Sequence, residues 1–233
     1  MENRLHRQRI LGNLDVQTMG ILLGMFVVAV IFWNTVLIYP IKLFVVILHE
    51  FSHGLAAVVT GGRIVRIEVS QQVGGVCYTM GGSRLIVTSA GYLGSICWGG
   101  LILLIAARTK YDNLMGIIIG GFLILVAILY IRNLFGFLFT AGFGAVLAIA
   151  SYKAKNVLID LVMKFLGMTS CLYVLIDIKE DLIDRTNIGS DADAIARLLG
   201  SQSLSVPIGI AWILIAIFAF GCFLWIASRG ETN

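Results

Sequence analysis

Apolar residues run along this chain in blocks of about 20, enough for a helix to cross the roughly 30 Å hydrocarbon core of a bilayer. The first block extends from Met19 to about Ile38, behind a polar segment (1–18) that carries Arg4, Arg7 and Arg9. Tyr39-Pro40 interrupts the pattern. A second block from about Ile41 to Thr60 then ends at Gly61-Gly62, a common helix terminus. The period changes next. Arg63-Ile-Val-Arg-Ile-Glu-Val-Ser70 is β-branched with polar residues at 66, 68 and 70, Gly74-Gly75 signals a turn, and Val76 to Thr79 supplies a return strand. A short β-hairpin or small sheet is expected, with an ordinary connecting loop as the alternative. An open sheet edge cannot face lipid, so it belongs at the interface or in a cavity within the protein. Further spans follow at about Leu85 to Ala107, twice within 113–151 around a tight turn at Arg132-Asn133, once within 156–183, and from Ser203 to Ile226. Ser190-Asp-Ala-Asp193 reads as a variant capping box that opens a short amphipathic helix through Leu199. The pattern predicts an all-α polytopic membrane protein of about seven transmembrane helices, six being the lower count. Residues 19–228 form one transmembrane domain between the polar segments 1–18 and 229–233.

Composition supports this class. The chain is 59% hydrophobic and 13% charged, where soluble domains carry about 25% charged residues. Glycine is abundant (26) and proline scarce (2), which suits closely packed helices. Gly91, Ser95 and Gly99 recur every four residues, and Gly116 and Gly120 repeat the spacing, so both sets read as packing faces. The net charge of +4 comes from scattered Lys and Arg, with no dense basic cluster of the kind nucleic acid requires. The expected partner is the lipid bilayer. With seven spans and a cytoplasmic N-terminus, ten basic residues fall inside and six outside, the bias that favours this orientation. The four cysteines are scattered without a CxxC pair and read as small hydrophobes. Asp160 and Lys164, four apart, read as an interfacial ion pair.

The candidate chemistry lies in the second block. His49-Glu50-Phe51-Ser52-His53 reads HExxH. On a helix His49 and His53 share a face one turn apart, so both imidazoles reach one metal ion. Glu50 lies about 100° round the helix, placed to act on a water at the metal without being a ligand. With 3 His and 5 Glu in the chain, composition alone predicts about 0.001 such matches. Ionisable groups within an apolar segment must pair, coordinate or face water, so the alternative is a buried polar cluster.

A catalytic zinc site takes three protein ligands. His6, the remaining histidine, lies in the polar N-terminal segment, so a carboxylate is expected. If Lys42 and Lys164 mark one interface, a rise of about 1.5 Å per residue puts His49 about 10 Å deep, His53 about 16 Å, Asp177 about 20 Å and Asp181 about 25 Å. Asp177 is therefore the expected third ligand and Asp181 the runner-up, with one Zn2+ per chain. The natural reaction is hydrolysis of a peptide bond within or beside the membrane, with Glu50 as general base. A transmembrane substrate must unwind before attack. The strand segment Arg63, Ile64, Val65, Arg66 and Ile67 is the candidate to hold it extended by strand addition.

The residues together resemble a known family. HEFSHG in a transmembrane helix, a Gly-Gly-rich strand segment, SAGYLGS in the next helix, and an aspartate in LYVLIDIKEDLI followed by SDA are similar to the M50 zinc metallopeptidases. The M50B-like branch, related to the site-2 intramembrane proteases, is the nearest. The resemblance covers roughly residues 40–225. It implies that His49, His53 and a distant aspartate bind zinc, that Glu50 is the catalytic base, and that the substrate is a membrane protein. The Asn-Pro-Asp-Gly or Leu-Asp-Gly context usual around the aspartate of site-2 proteases is absent here, as is a PDZ-like insertion. A non-catalytic M50-like membrane protein and a membrane zinc hydrolase of a non-protein amide are the alternatives.

Overall fold

The computed structural model describes residues 15–181 and 190–229. His6, Arg4, Arg7, Arg9, Asp184 and Arg185 lie outside them. The apolar blocks form helices α1 (Val16–Ile31), α2 (Tyr39–Val59), α3 (Arg84–Arg108), α4 (Asp112–Tyr130), α5 (Leu134–Lys153), α6 (Asn156–Lys179) and α8 (Ser205–Ala227), with the short α7 (Asp191–Leu198) before the last. Strands β1 (Arg63–Ser70) and β2 (Gly74–Met80) lie between α2 and α3.

Among the described residues six helices, α2 to α6 and α8, are long and apolar enough to cross a membrane. The chain is a multi-pass membrane protein, and its described residues give the lower of the two expected counts of candidate spans. The first block departs from expectation because its helix stops at Ile31 instead of about Ile38. At 16 residues it is about 24 Å long, short of a bilayer core. Its N-cap Asp15 accepts from the Gln17 amide at 3.0 Å, and the Asp15 amide donates to Ser228 O at 2.8 Å, so the start of α1 meets the end of α8.

Burial separates centre from periphery. In α2 and α6, 61% of the spanning window is buried inside the protein, against 22% in the span ending in α8. His49, Glu50, His53 and Asp177 lie on these two helices, as ionisable groups that lipid cannot solvate must face the protein interior. Close approach depends on glycine. A Cβ at Gly167 of α6 would lie 2.6 Å from the Leu103 amide nitrogen and 2.9 Å from Gly99 O of α3. Both obstacles are backbone and cannot move aside. Gly167→Ala is expected to cost about 1–3 kcal/mol, read as a lower midpoint in detergent-induced unfolding. Gly221→Ala, with nothing within 4 Å of its Cβ, is the control and should not lower it; equal midpoints would show that α3 and α6 have room to spare.

The two strands pair antiparallel from Arg63 opposite Met80 to Ser70 opposite Gly74, with an irregularity between Ile64 and Arg66. The turn is Gln71–Val73 and not Gly74-Gly75, which instead begin β2. Tyr39 Oη donates to Gln71 O at 2.9 Å and ties the turn to α2. Glycine is needed at 75 for another reason: a Cβ there would lie 2.8 Å from Glu50 Oε1. The outer side of β1 is covered. Arg132 N donates to Ile67 O at 3.1 Å, and the Asn133 amide both donates to Val69 O at 2.7 Å and accepts from Val69 N at 3.0 Å. The tight turn between α4 and α5 therefore closes that edge, while β2 has β1 as its sole strand partner among the described residues.

Candidate metal centre

Helix α2 sets the first half of the site. Pro40 stands in its first turn, where a missing N–H costs nothing. The helix runs unbroken through the HExxH, so the 3.6-residue period puts His49 and His53 on one face, their ring centroids 4.8 Å apart. Behind them Ser52 Oγ donates to Leu48 O at 2.6 Å and accepts from Trp98 Nε1 of α3 at 3.1 Å. Gly94 leaves room for that serine. His53 Nδ1 lies 2.7 Å from Val87 O. A carbonyl only accepts, so Nδ1 carries the proton and Nε2 presents its lone pair, the orientation usual for a metal-binding imidazole.

The carboxylate that meets the histidines is Asp191. Its Oδ2 lies 3.2 Å from His49 Nε2 and 3.3 Å from His53 Nε2. Ligand atoms from His49, His53 and Asp191 all lie within 4.8 Å of one another, the group of three or more His, Cys, Asp or Glu side chains found among the described residues that could hold a metal ion. The arrangement suits zinc on two grounds. A tetrahedral ion with bonds of about 2.0–2.2 Å separates its ligand atoms by roughly 3.3–3.6 Å, close to the observed spacings. Asp191 Oδ2 is also buried without a hydrogen-bonding partner, a costly state for an oxygen unless something electropositive meets it. Burial opposes charge on Asp191, but positive charge on the facing His53 and His49 imidazoles would hold its carboxyl well below the usual range, so the carboxylate is suited to an electropositive neighbour. Gly91 completes the cradle, because a Cβ there would lie 2.6 Å from Asp191 Oδ2.

Glu50 is buried, 6% exposed, and borders the same cavity of about 450 Å³ as both histidines and Asp191. The Cys77 amide of β2 is turned towards its carboxylate. Burial, with the Glu50 charge nearby, pushes the Cys77 thiol up to about 12, so it stays neutral and is a poor metal ligand.

The expected third ligand stands elsewhere. Asp177 lines the cavity, but its Oδ1 accepts from Tyr173 Oη one turn back at 3.2 Å, and it is outside the close group with His49 and His53. The runner-up Asp181 accepts from Tyr92 Oη, whose ring lies 5.0 Å from that of His49. A depth count along straight spans ranks only residues within spans. Asp191 sits on α7, an eight-residue helix that does not span and brings its first residue back to α2. Its sequence signal was present as the capping box Ser190 to Asp193, which marks a helix start and says nothing of what that start faces. Within the hairpin, Val73 to Cys77 and Thr79 border the cavity, and the segment Arg63, Ile64, Val65, Arg66 and Ile67 does not. That segment belongs to β1, whose outer side is occupied at Ile67 by the α4–α5 turn.

The Peptidase M50B-like family model matches residues 22–226. No curated protein and no solved structure gives a significant match. A family match that begins in α1, ends in α8 and takes in the helix of His49, Glu50 and His53 leads to one assignment: this chain belongs to the M50B-like peptidases.

Proposed function

We propose that the protein is an intramembrane zinc metallopeptidase that cuts membrane proteins. The observation that carries the reading is Asp191 Oδ2, buried and 3.2 and 3.3 Å from the Nε2 atoms of His49 and His53. His49, His53 and Asp191 would hold one Zn2+. When bound there, zinc supplies Lewis acidity that polarises a carbonyl and acidifies water. Glu50 takes the proton from water as it adds to the scissile carbonyl carbon, then delivers it to the leaving amine as the C–N bond breaks. Val87 O keeps His53 in the tautomer that presents Nε2.

A transmembrane substrate presents its carbonyls only when extended, and β2 is the strand that would receive it. Gly74 and Gly75 border the cavity, and without side chains they let a second backbone approach. Gly74→Val tests this. Its Cβ would meet only Ser70 Oγ, at 3.4 Å, so Glu50 and the three proposed ligands are untouched. Cleavage should fall about 100-fold, as for a misplacement of about 1 Å, with zinc content unchanged; undiminished cleavage would remove β2 from the substrate path.

The function is tested by metal analysis of the purified chain and by cleavage of co-reconstituted membrane proteins with and without a zinc chelator. About one zinc per chain and chelator-sensitive cleavage are expected. Zinc without cleavage of any membrane protein would point to a hydrolase of a non-protein amide. A metal-free chain would point to a non-catalytic family member.

A further inference from the structure

The carboxylate of the proposed site is carried by an eight-residue helix, too short to be stable by itself, so its orientation must come from its surroundings. Asp193 stands out in that respect. It is 7% exposed, and its amide donates to Ser190 Oγ at 3.2 Å, the forward half of a capping box. The return half, from the Asp193 carboxylate to the Ser190 amide, does not form among the described residues. Instead Asp193 Oδ1 accepts from Gln202 Nε2 at 2.9 Å and from Ser205 Oγ. Both donors belong to the start of the last span, Gln202 in the 3-10 turn Gln202–Leu204 and Ser205 at the first position of α8.

We infer that Asp193 is the positioning residue for Asp191. Residues two apart on a helix point about 200° away from each other. α7 therefore presents Asp191 to His49 and His53 on one side and Asp193 to α8 on the other, with Ala192, Ile195 and Ala196 buried between. The two hydrogen bonds that Asp193 Oδ1 accepts from Gln202 and Ser205 fix the rotation of α7 about its axis. A rotation of about 15° would move an atom about 5 Å from the axis by roughly 1.3 Å, more than the roughly 0.5 Å a preorganised constellation tolerates. Ala192, Ile195 and Ala196 hold α7 against the core but do not set this angle, because apolar contact is not directional. The inference rests on the metal reading of the site, and its first readout does not.

The test uses the full chain in detergent. In the metal-free protein, hydrogen exchange at the α7 amides of Ala194 to Leu199 is compared between wild type, Asp193→Ala and Asp193→Asn. Zinc affinity of the same proteins is then measured by chelator competition. Asp193→Ala should raise exchange in α7 and weaken zinc about 10–100-fold, the range for an outer-shell partner, with α3 and α6 exchange unchanged. Asp193→Asn keeps an acceptor oxygen and should rescue both. If Asp193→Ala fails to fold, Ser205→Ala removes one of the two bonds and should give a smaller effect of the same sign. Wild-type exchange in α7 would overturn the anchor. Faster exchange with wild-type zinc affinity would overturn the positioning role. A wild-type chain that binds no zinc while α7 exchange still rises in Asp193→Ala would overturn the metal reading and leave the anchor as a purely structural contact.

Discussion

Glu50→Gln is expected to bind about one zinc per chain and to lose cleavage by about 100- to 10,000-fold, the usual worth of a general base. Glutamine has the shape of glutamate and keeps a carbonyl oxygen towards the Cys77 amide, so the packing of this buried residue against β2 survives. It cannot accept the proton of the attacking water. The proposed ligands, His49, His53 and Asp191, are separate side chains, and their geometry should not change. Metal content and turnover measured on one preparation separate the roles. Loss of zinc would make Glu50 a ligand, and unchanged turnover would remove it from the proton transfer.

Asp191→Ala should lose zinc, by more than the roughly 10–100-fold typical of an outer-shell partner, because it removes the sole carboxylate in the close group with the histidines. Asp177→Asn and Asp181→Asn should retain it. The amide oxygen introduced by Asp177→Asn would still accept from Tyr173 Oη, and that introduced by Asp181→Asn from Tyr92 Oη, so neither neighbouring tyrosine loses its partner. Metal analysis of the three proteins beside wild type decides between two assignments that a bare HExxH leaves open. A zinc-free Asp177→Asn with a zinc-loaded Asp191→Ala would reverse the proposed ligand set.

The contrast between those aspartates shows how far local pattern reaches. His49, Glu50 and His53 lie within five residues of one helix, so their spacing alone settles their relative directions. The Lys164–Asp160 pair is of the same kind, with Nζ 2.5 Å from Oδ1 at the expected four-residue spacing. The small residues of α3 were legible as a face but not in their purpose. Gly99 packs against Ser170 and Cys171 of α6 as a helix contact should, whereas Gly91 makes room for His49 and Asp191. The hairpin was legible as two strands. Its turn is Gln71–Val73 and not Gly74-Gly75, and it is held by Tyr39 of α2, a contact that no local turn rule contains.

From the sequence alone came the membrane class, the hairpin, the two histidines and the glutamate, because each depends on a period or a spacing along one segment. Tertiary structure decided the rest: six candidate spans among the described residues behind a shorter first helix, β2 and not β1 along the cavity, and Asp191 and not Asp177 beside the imidazoles. These depend on which segments fold back on one another. Asp191 is 138 residues beyond His53, and the contacts that bring α7 to α2 are buried apolar packing and the Asp193 bonds to α8. The amphipathic period of α7 marks a face to be buried but not the helix that will cover it, and the Asp193 bonds leave no periodic mark at all.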